Sequence, residues 1–302
     1  MGHDHTHDVG TSHRGRLAVV LTITLVVMIS EVVGALVSGS LALLADAGHM
    51  LTDATGLAMA LFAAFMVRRP ATPRRTWGYH RVEILSAAAQ ALLLFGVGLY
   101  VLVEGISRLL DPTPVTSSIM LIFGVVGLVG NVIGLVVLHG GKGDNLNMRA
   151  AYLEVLADTL GSVAVILAAV VIATLGWTRI DSIVSLCIGT FIVVRTLRLL
   201  RDSVDILLES TPPQVKLDEV RAHLMALPHI HDVHDLHAST IATGMPVLSA
   251  HLVVDDSCFY DGHLRSMLDD VQRCAVEDFG IEHTTFQFEG KRHADHEGGV
   301  HA

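Results

Sequence analysis

Six stretches of this chain, at about 17–37, 41–67, 82–108, 115–138, 150–175 and 180–200, are long and apolar enough to cross a bilayer. A helix rises about 1.5 Å per residue and the hydrocarbon core is about 30 Å thick, so a span needs roughly 20 mostly apolar residues. In lipid the backbone must satisfy its own hydrogen bonds, which makes each stretch a helix. Composition agrees: 51% of the 302 residues are hydrophobic, 17% are charged and the mean hydropathy is +0.56, too apolar for an ordinary soluble protein. The His-rich start lacks the basic lead of a cleaved signal peptide, so the first span is expected to be retained.

Ser38-Gly39-Ser40 turns the chain after the first span, and Asp111-Pro112-Thr113-Pro114 breaks it after the third. The opposite side receives Arg68, Arg69, Arg74, Arg75 and Arg81, then Lys142 and Arg149. By the positive-inside bias that side is cytoplasmic, and both termini lie there. The formal charge of -10 comes mostly from acids outside the apolar blocks, and no basic footprint for nucleic acid is present. Cys187, Cys258 and Cys274 have neither disulfide nor zinc-finger spacing.

After Arg201 the pattern turns amphipathic, and Thr211-Pro212-Pro213 links to a segment of soluble character. Helix 216–227, strands 232–241 and 247–254, helix 261–279 and strand 281–289 are predicted, an αββαβ order that suits a small sheet with both helices on one face. Four regions follow: a His-rich cytoplasmic tail at 1–16, a six-helix transmembrane domain at 17–205, a cytoplasmic metal-binding αββαβ domain at 206–290, and a His-containing tail at 291–302 expected to be disordered.

Ionisable residues interrupt two of the spans. His49 and Asp53 stand four apart on the second, Glu154 and Asp158 four apart on the fifth, and each pair is followed three residues later by glycine, Gly56 or Gly161. Four residues turn through about 400°, so each pair shares a helix face, and glycine there lets helices approach closely. Facing one another, the pairs converge one imidazole and three carboxylates, a shell that a tetrahedral divalent cation can occupy. Any one of them alone is as well explained by a hydrogen bond between helices, but four at this spacing favour a metal site. An intramembrane metalloprotease would need a His-Glu-x-x-His pair, which the spans lack, so no enzyme is expected. Glu31, Glu83, Glu104 and Asn131 are first read as structural, and Asp46 as lining the access path outside the primary shell.

These pairs, with the runs Ser38 to His49 and Gly78 to Leu85, resemble the cation diffusion facilitator family of zinc transporters, in particular its bacterial members of the cobalt-zinc-cadmium resistance type. The resemblance covers nearly the whole chain. It implies a homodimer of six-helix protomers in the plasma (inner) membrane, a cytoplasmic ferredoxin-like α+β domain, and metal/proton antiport, with Zn2+ as substrate and as regulatory ligand. His234, His251, His263 and Glu289 resemble the family's cytoplasmic metal ligands. Glu154 departs from the histidine of many zinc members. An oxygen there hardens the site and admits cobalt, cadmium or manganese more readily.

Three carboxylates close together repel one another, so the empty site is expected to hold protons that an arriving cation displaces. Exchange of metal for protons by alternating access follows. A passive metal channel would instead conduct independently of a pH gradient, and a membrane-anchored metal sensor would give no flux. The His-rich termini are at most accessory metal collectors.

Overall fold

The computed structural model describes the backbone of residues 6–139 and 146–294. Six long helices come first: α1 (Thr6–Ser38), α2 (Leu41–Val67), α3 (Arg81–Leu110), α4 (Ser117–His139), α5 (Leu146–Leu175) and α6 (Arg179–Leu207). Each contains a stretch long and apolar enough to cross a membrane. The protein is a polytopic α-helical membrane protein. Helix α1 begins well before its apolar stretch, Val19–Ser38, and α6 runs past residue 200 to Leu207. The side chains of His3, His5 and His7 lie outside the described residues.

The helices are built inside-out relative to a soluble bundle. Large apolar side chains such as Leu36, Leu61, Phe65, Leu92, Val136, Leu160 and Leu175 are exposed, as a lipid-facing surface requires. The buried positions include many small and polar residues beside large apolar ones such as Leu43, Leu94 and Ile192. On α4 the buried positions are Met120, Gly124, Gly127, Asn131, Gly134 and Leu138, alternating steps of four and three that draw one stripe down the helix. A Cβ on Gly127 would strike the Glu31 carboxylate of α1, and one on Gly134 would stand 3.2 Å from Val155 of α5. Helix α4 therefore fits closely between α1 and α5 because three of the six positions on its inner stripe are glycine.

The start of α2 is fixed from two sides. Gly39 takes φ +74° to reverse the chain, and Ser40 Oγ accepts the Leu43 N–H at 3.1 Å as an N-cap. Buried Asp181, from the first turn of α6, accepts hydrogen bonds from Ser40 Oγ (2.5 Å), Leu41 N (2.7 Å) and Ala42 N (3.2 Å). A carboxylate at a helix N-terminus satisfies orphan donors and meets the positive end of the dipole.

The soluble part follows as α7 (Leu217–Met225), β1 (Ile230–Thr240), β2 (Pro246–Val254), α8 (Cys258–Asp261), α9 (Leu264–Phe279), β3 (His283–Gly290) and α10 (Lys291–Ala294). The sheet order is β1-β2-β3, with β1 antiparallel and β3 parallel to β2. Val220 and Leu224 of α7 and Met267, Val271 and Ala275 of α9 pack on Val233, Leu248, Ala250 and Leu252, placing both helices on one face. Helix α9 ends at Gly280 in the left-handed conformation, with Ile281 N bonding back to Ala275 O. Residues 295–302, and with them most of the expected disordered tail, lie outside the described residues; Lys291–Ala294 form one more helical turn.

Strand β1 does not alternate. Its core-facing residues are Ile230, Val233, Leu236 and Ala238, because the register slips between Ile230 and Asp232 and again between His234 and His237. The second slip contains Asp235 at φ +48°. These bulges turn His234 onto the face opposite the helices, directly across from His251.

Candidate metal centre

Helix α2 runs antiparallel to α5, so the two i, i+4 pairs meet as rungs, His49 level with Asp158 and Asp53 level with Glu154. The structure brings three of the four together. One ligand atom each from His49, Asp53 and Asp158 lies within 4.8 Å of the others, and His49 Nε2 stands 3.6 Å from Asp158 Oδ1. All three are largely buried. Among the described residues, His49 Nδ1, both oxygens of Asp53 and Asp158 Oδ1 have no hydrogen-bond partner. Buried polar atoms left so cost roughly 1–3 kcal/mol each, an energetic deficit that a bound cation removes.

Glu154 lies outside this cluster. Its half-exposed carboxylate accepts a hydrogen bond from Arg195 Nη2 of α6 at 3.0 Å, and Arg195 Nη1 stands 3.1 Å from Asp53 Oδ1. Phe191, one turn before Arg195, meets the His49 ring edge-on at 5.6 Å between centroids. Ligand spacing in the sequence points to neither Arg195 nor Phe191. Arg195 carried a signal, an ionisable side chain inside an apolar span.

The glycines divide their work. A Cβ on Gly161 would strike the Asp46 carboxylate, so Gly161 is where α5 closes on α2. Gly56, expected on the same seam, faces Gln90 of α3 instead: a Cβ there would stand 2.9 Å from Gln90 Nε2. Asp46 is fully buried one turn from the cluster, in a polar layer with Ser162, Asn131 and Glu31. Asn131 Nδ2 donates to Ser162 Oγ at 3.2 Å, and Ser162 Oγ lies 3.5 Å from Asp46 Oδ2.

A second cluster forms on the open face of the sheet. His234 and His251 are cross-strand partners, and Glu289 projects from β3. Glu289 lies 3.3 Å from His234 Nε2 through Oε2 and 2.9 Å from His251 Nδ1 through Oε1. It is buried, and its Oε2 accepts no hydrogen bond among the described residues. Two imidazoles and a carboxylate with one buried oxygen left over fit a divalent metal. His263 is elsewhere: its Nδ1 is 2.8 Å from Asp261 Oδ1 at the start of α9, and its ring faces His229. Nearby, Asp255 receives His231 Nε2 at 2.6 Å and His229 Nδ1 at 3.2 Å, and these bonds hold its carboxyl below the usual range. Burial, with Asp278 adding to it, pushes the Cys274 thiol up to about 11, and burial raises Cys258 as well, which disfavours the thiolate in both.

Two family descriptions match the chain, the cation efflux transmembrane domain over residues 17–208 and the cation efflux protein cytoplasmic domain over 212–291. The chain belongs to the cation efflux family. It is similar to the metal cation efflux system protein CzcD of Cupriavidus metallidurans, 41% identical over 95% of this chain and 90% of that one. It is also similar to the zinc transporter ZitB of Escherichia coli, 38% identical over 96% and 93% of the two chains. The cadmium, cobalt and zinc/H(+)-K(+) antiporter of Bacillus subtilis is 35% identical over 96% and 93%. Membership of the cation efflux family makes this protein a multi-pass membrane transporter and not an enzyme.

Proposed function

We propose that this protein exports divalent transition-metal ions, zinc foremost, from the cytoplasm across the plasma membrane in exchange for protons. It acts as a homodimer with both termini in the cytoplasm. The observation that carries the reading is the buried cluster of His49, Asp53 and Asp158, whose acceptor atoms lack hydrogen-bond partners inside a six-helix membrane domain. Ionisable groups at that depth are expensive and persist where they handle an ion. The names of the three relatives speak for divalent metals.

Asp53 and Asp158 supply oxygen ligands and His49 one nitrogen, a donor set that zinc accepts and that does not exclude cobalt or cadmium. Metal and protons compete for the same lone pairs, so one site serves both in turn as the helices move between two access states. The arginines of the α2–α3 connection support a cytoplasmic placement of that side. His234, His251 and Glu289 supply a regulatory metal site in the soluble part, where binding would tie β1, β2 and β3 together.

The test is metal flux in proteoliposomes carrying the purified protein, with an imposed pH gradient and a panel of zinc, cadmium, cobalt and manganese. Flux that follows the pH gradient is expected, with zinc preferred. In Asp158→Ala it should fall to background while membrane insertion is unchanged. Flux independent of the gradient, or retained zinc flux in Asp158→Ala, would refute the reading.

A further inference from the structure

We propose that Arg195 is a tethered cation that competes with the transported metal for Asp53, and that Glu154 is the anchor from which it does so. The inference rests on His49, Asp53 and Asp158 being the transport site.

Arg195 lies near the middle of α6, inside the apolar stretch that crosses the membrane. A guanidinium at that depth needs anionic partners, and unlike a histidine or carboxylate it cannot shed its charge by losing or gaining a proton. Its charge can only be moved. The structure shows the two places it can rest. Nη2 donates a hydrogen bond to Glu154 Oε1 at 3.0 Å, whereas Nη1, 3.1 Å from Asp53 Oδ1, lacks the alignment of one, so that both Asp53 oxygens remain without a hydrogen-bond partner among the described residues. The guanidinium thus bridges the two carboxylates, with its aligned hydrogen bond on Glu154 and its other arm against Asp53.

Asp53 is therefore shared. One of its oxygens lies within 4.8 Å of ligand atoms of His49 and Asp158, while its charge is partly balanced by Arg195. A divalent ion on Asp53 would sit within a few ångströms of the guanidinium, and the two cations repel in a medium that screens poorly. Metal binding then requires Arg195 to withdraw towards Glu154, where planar geometry allows a two-bond pairing with the carboxylate. Its side chain is 45% exposed and has room to do this. With all three carboxylates ionised, one guanidinium leaves two negative charges, matching one divalent cation. When the metal leaves, Arg195 returns to Asp53 and opposes rebinding. A transport site must release as well as bind, and a built-in competitor shortens the metal's stay.

The proposal makes Glu154 a positioning residue for Arg195, not a ligand, and a double-mutant cycle separates the two. Equilibrium zinc binding to the purified full-length protein would be measured by competition with a chromophoric chelator. All variants carry His234→Ala and His251→Ala so that the membrane cluster alone reports. Arg195→Gln should bind zinc at least tenfold more tightly and, in proteoliposomes, turn over more slowly; Arg195→Lys, which keeps the charge, should fall between. Glu154→Gln should weaken binding when Arg195 is present and leave it unchanged in the Arg195→Gln background. Unchanged or weaker binding in a monodisperse, helical Arg195→Gln would overturn the proposal. So would an equal loss from Glu154→Gln in both backgrounds, which would make Glu154 a direct ligand. Asp158→Ala is the control on the site itself: if it keeps full zinc binding, the transport-site reading fails. If it loses binding while Arg195→Gln is unaltered, the inference fails alone.

Discussion

Replacing Asp181 by alanine tests how the ligand-bearing helix α2 is held. Asp181 comes from α6, yet its carboxylate is the acceptor for Ser40 Oγ at 2.5 Å, Leu41 N at 2.7 Å and Ala42 N at 3.2 Å. Hydrogen bonds to a charged acceptor contribute about 1.5–3 kcal/mol each, and a buried helix N-terminus stripped of its acceptor has no water to turn to. Two of the three contacts are short and the third is long, and contributions within one network do not add fully. A loss of about 3–5 kcal/mol is expected. Asp181→Asn keeps the shape and one acceptor oxygen but not the charge, so it should lose about half as much. The assay is equilibrium unfolding of the purified protein in mixed micelles by added dodecyl sulfate, followed by helical circular dichroism. His49 lies two turns beyond the cap, so zinc affinity should change less than stability does. A stability within about 1 kcal/mol of wild type for Asp181→Ala, or an asparagine variant as damaged as the alanine, would refute the reasoning.

Gly161→Ala drives a methyl group into the Asp46 carboxylate and must part α5 from α2. A loss of about 1–3 kcal/mol and at least tenfold weaker zinc binding are expected, whereas Gly176→Ala, strained at φ +66° but with open space around it, should cost about 1 kcal/mol and leave binding intact; chelator competition on both variants checks this. In the soluble part, replacing His234 and His251 together should raise the free zinc needed for half-maximal transport while residual flux persists, and His263→Ala should behave as wild type. Transport against free zinc decides it, and a full loss of flux in the well-folded double variant would make the cluster part of the obligatory path.

The fold was legible where one physical rule acts alone. Length and apolarity mark six spans because lipid permits only helices there, and the switch to amphipathic patterning after residue 200 marks the soluble part. Boundaries failed where two rules overlap. Helix α6 continues to Leu207 on charged residues that pair along its surface, as Arg201 does with Asp205 at 3.8 Å, and hydropathy reports such a turn as the end of a span. Strand β1 was legible as a strand but not in its parity. Two register slips move its core positions to 230, 233, 236 and 238, and a strict period of two cannot anticipate a bulge that the partner strand imposes.

The site shows the same limit at finer scale. Spacing puts Glu154 and Asp158 on one helix face, but residues four apart still differ by about 40° in direction and about 6 Å in height. Since α2 and α5 run in opposite directions, each acid on α5 meets a different rung of α2, and the helix rotation that buries Asp158 to 2% leaves the Glu154 side chain 36% exposed. A third helix also meets this layer: α6 presents Phe191 beside His49 and Arg195 beside Glu154. A pairwise reading of two helices has no access to that. Glu154 is then better understood with Arg195 than by itself: a carboxylate can hold a guanidinium in the membrane, whereas an imidazole cannot neutralise it.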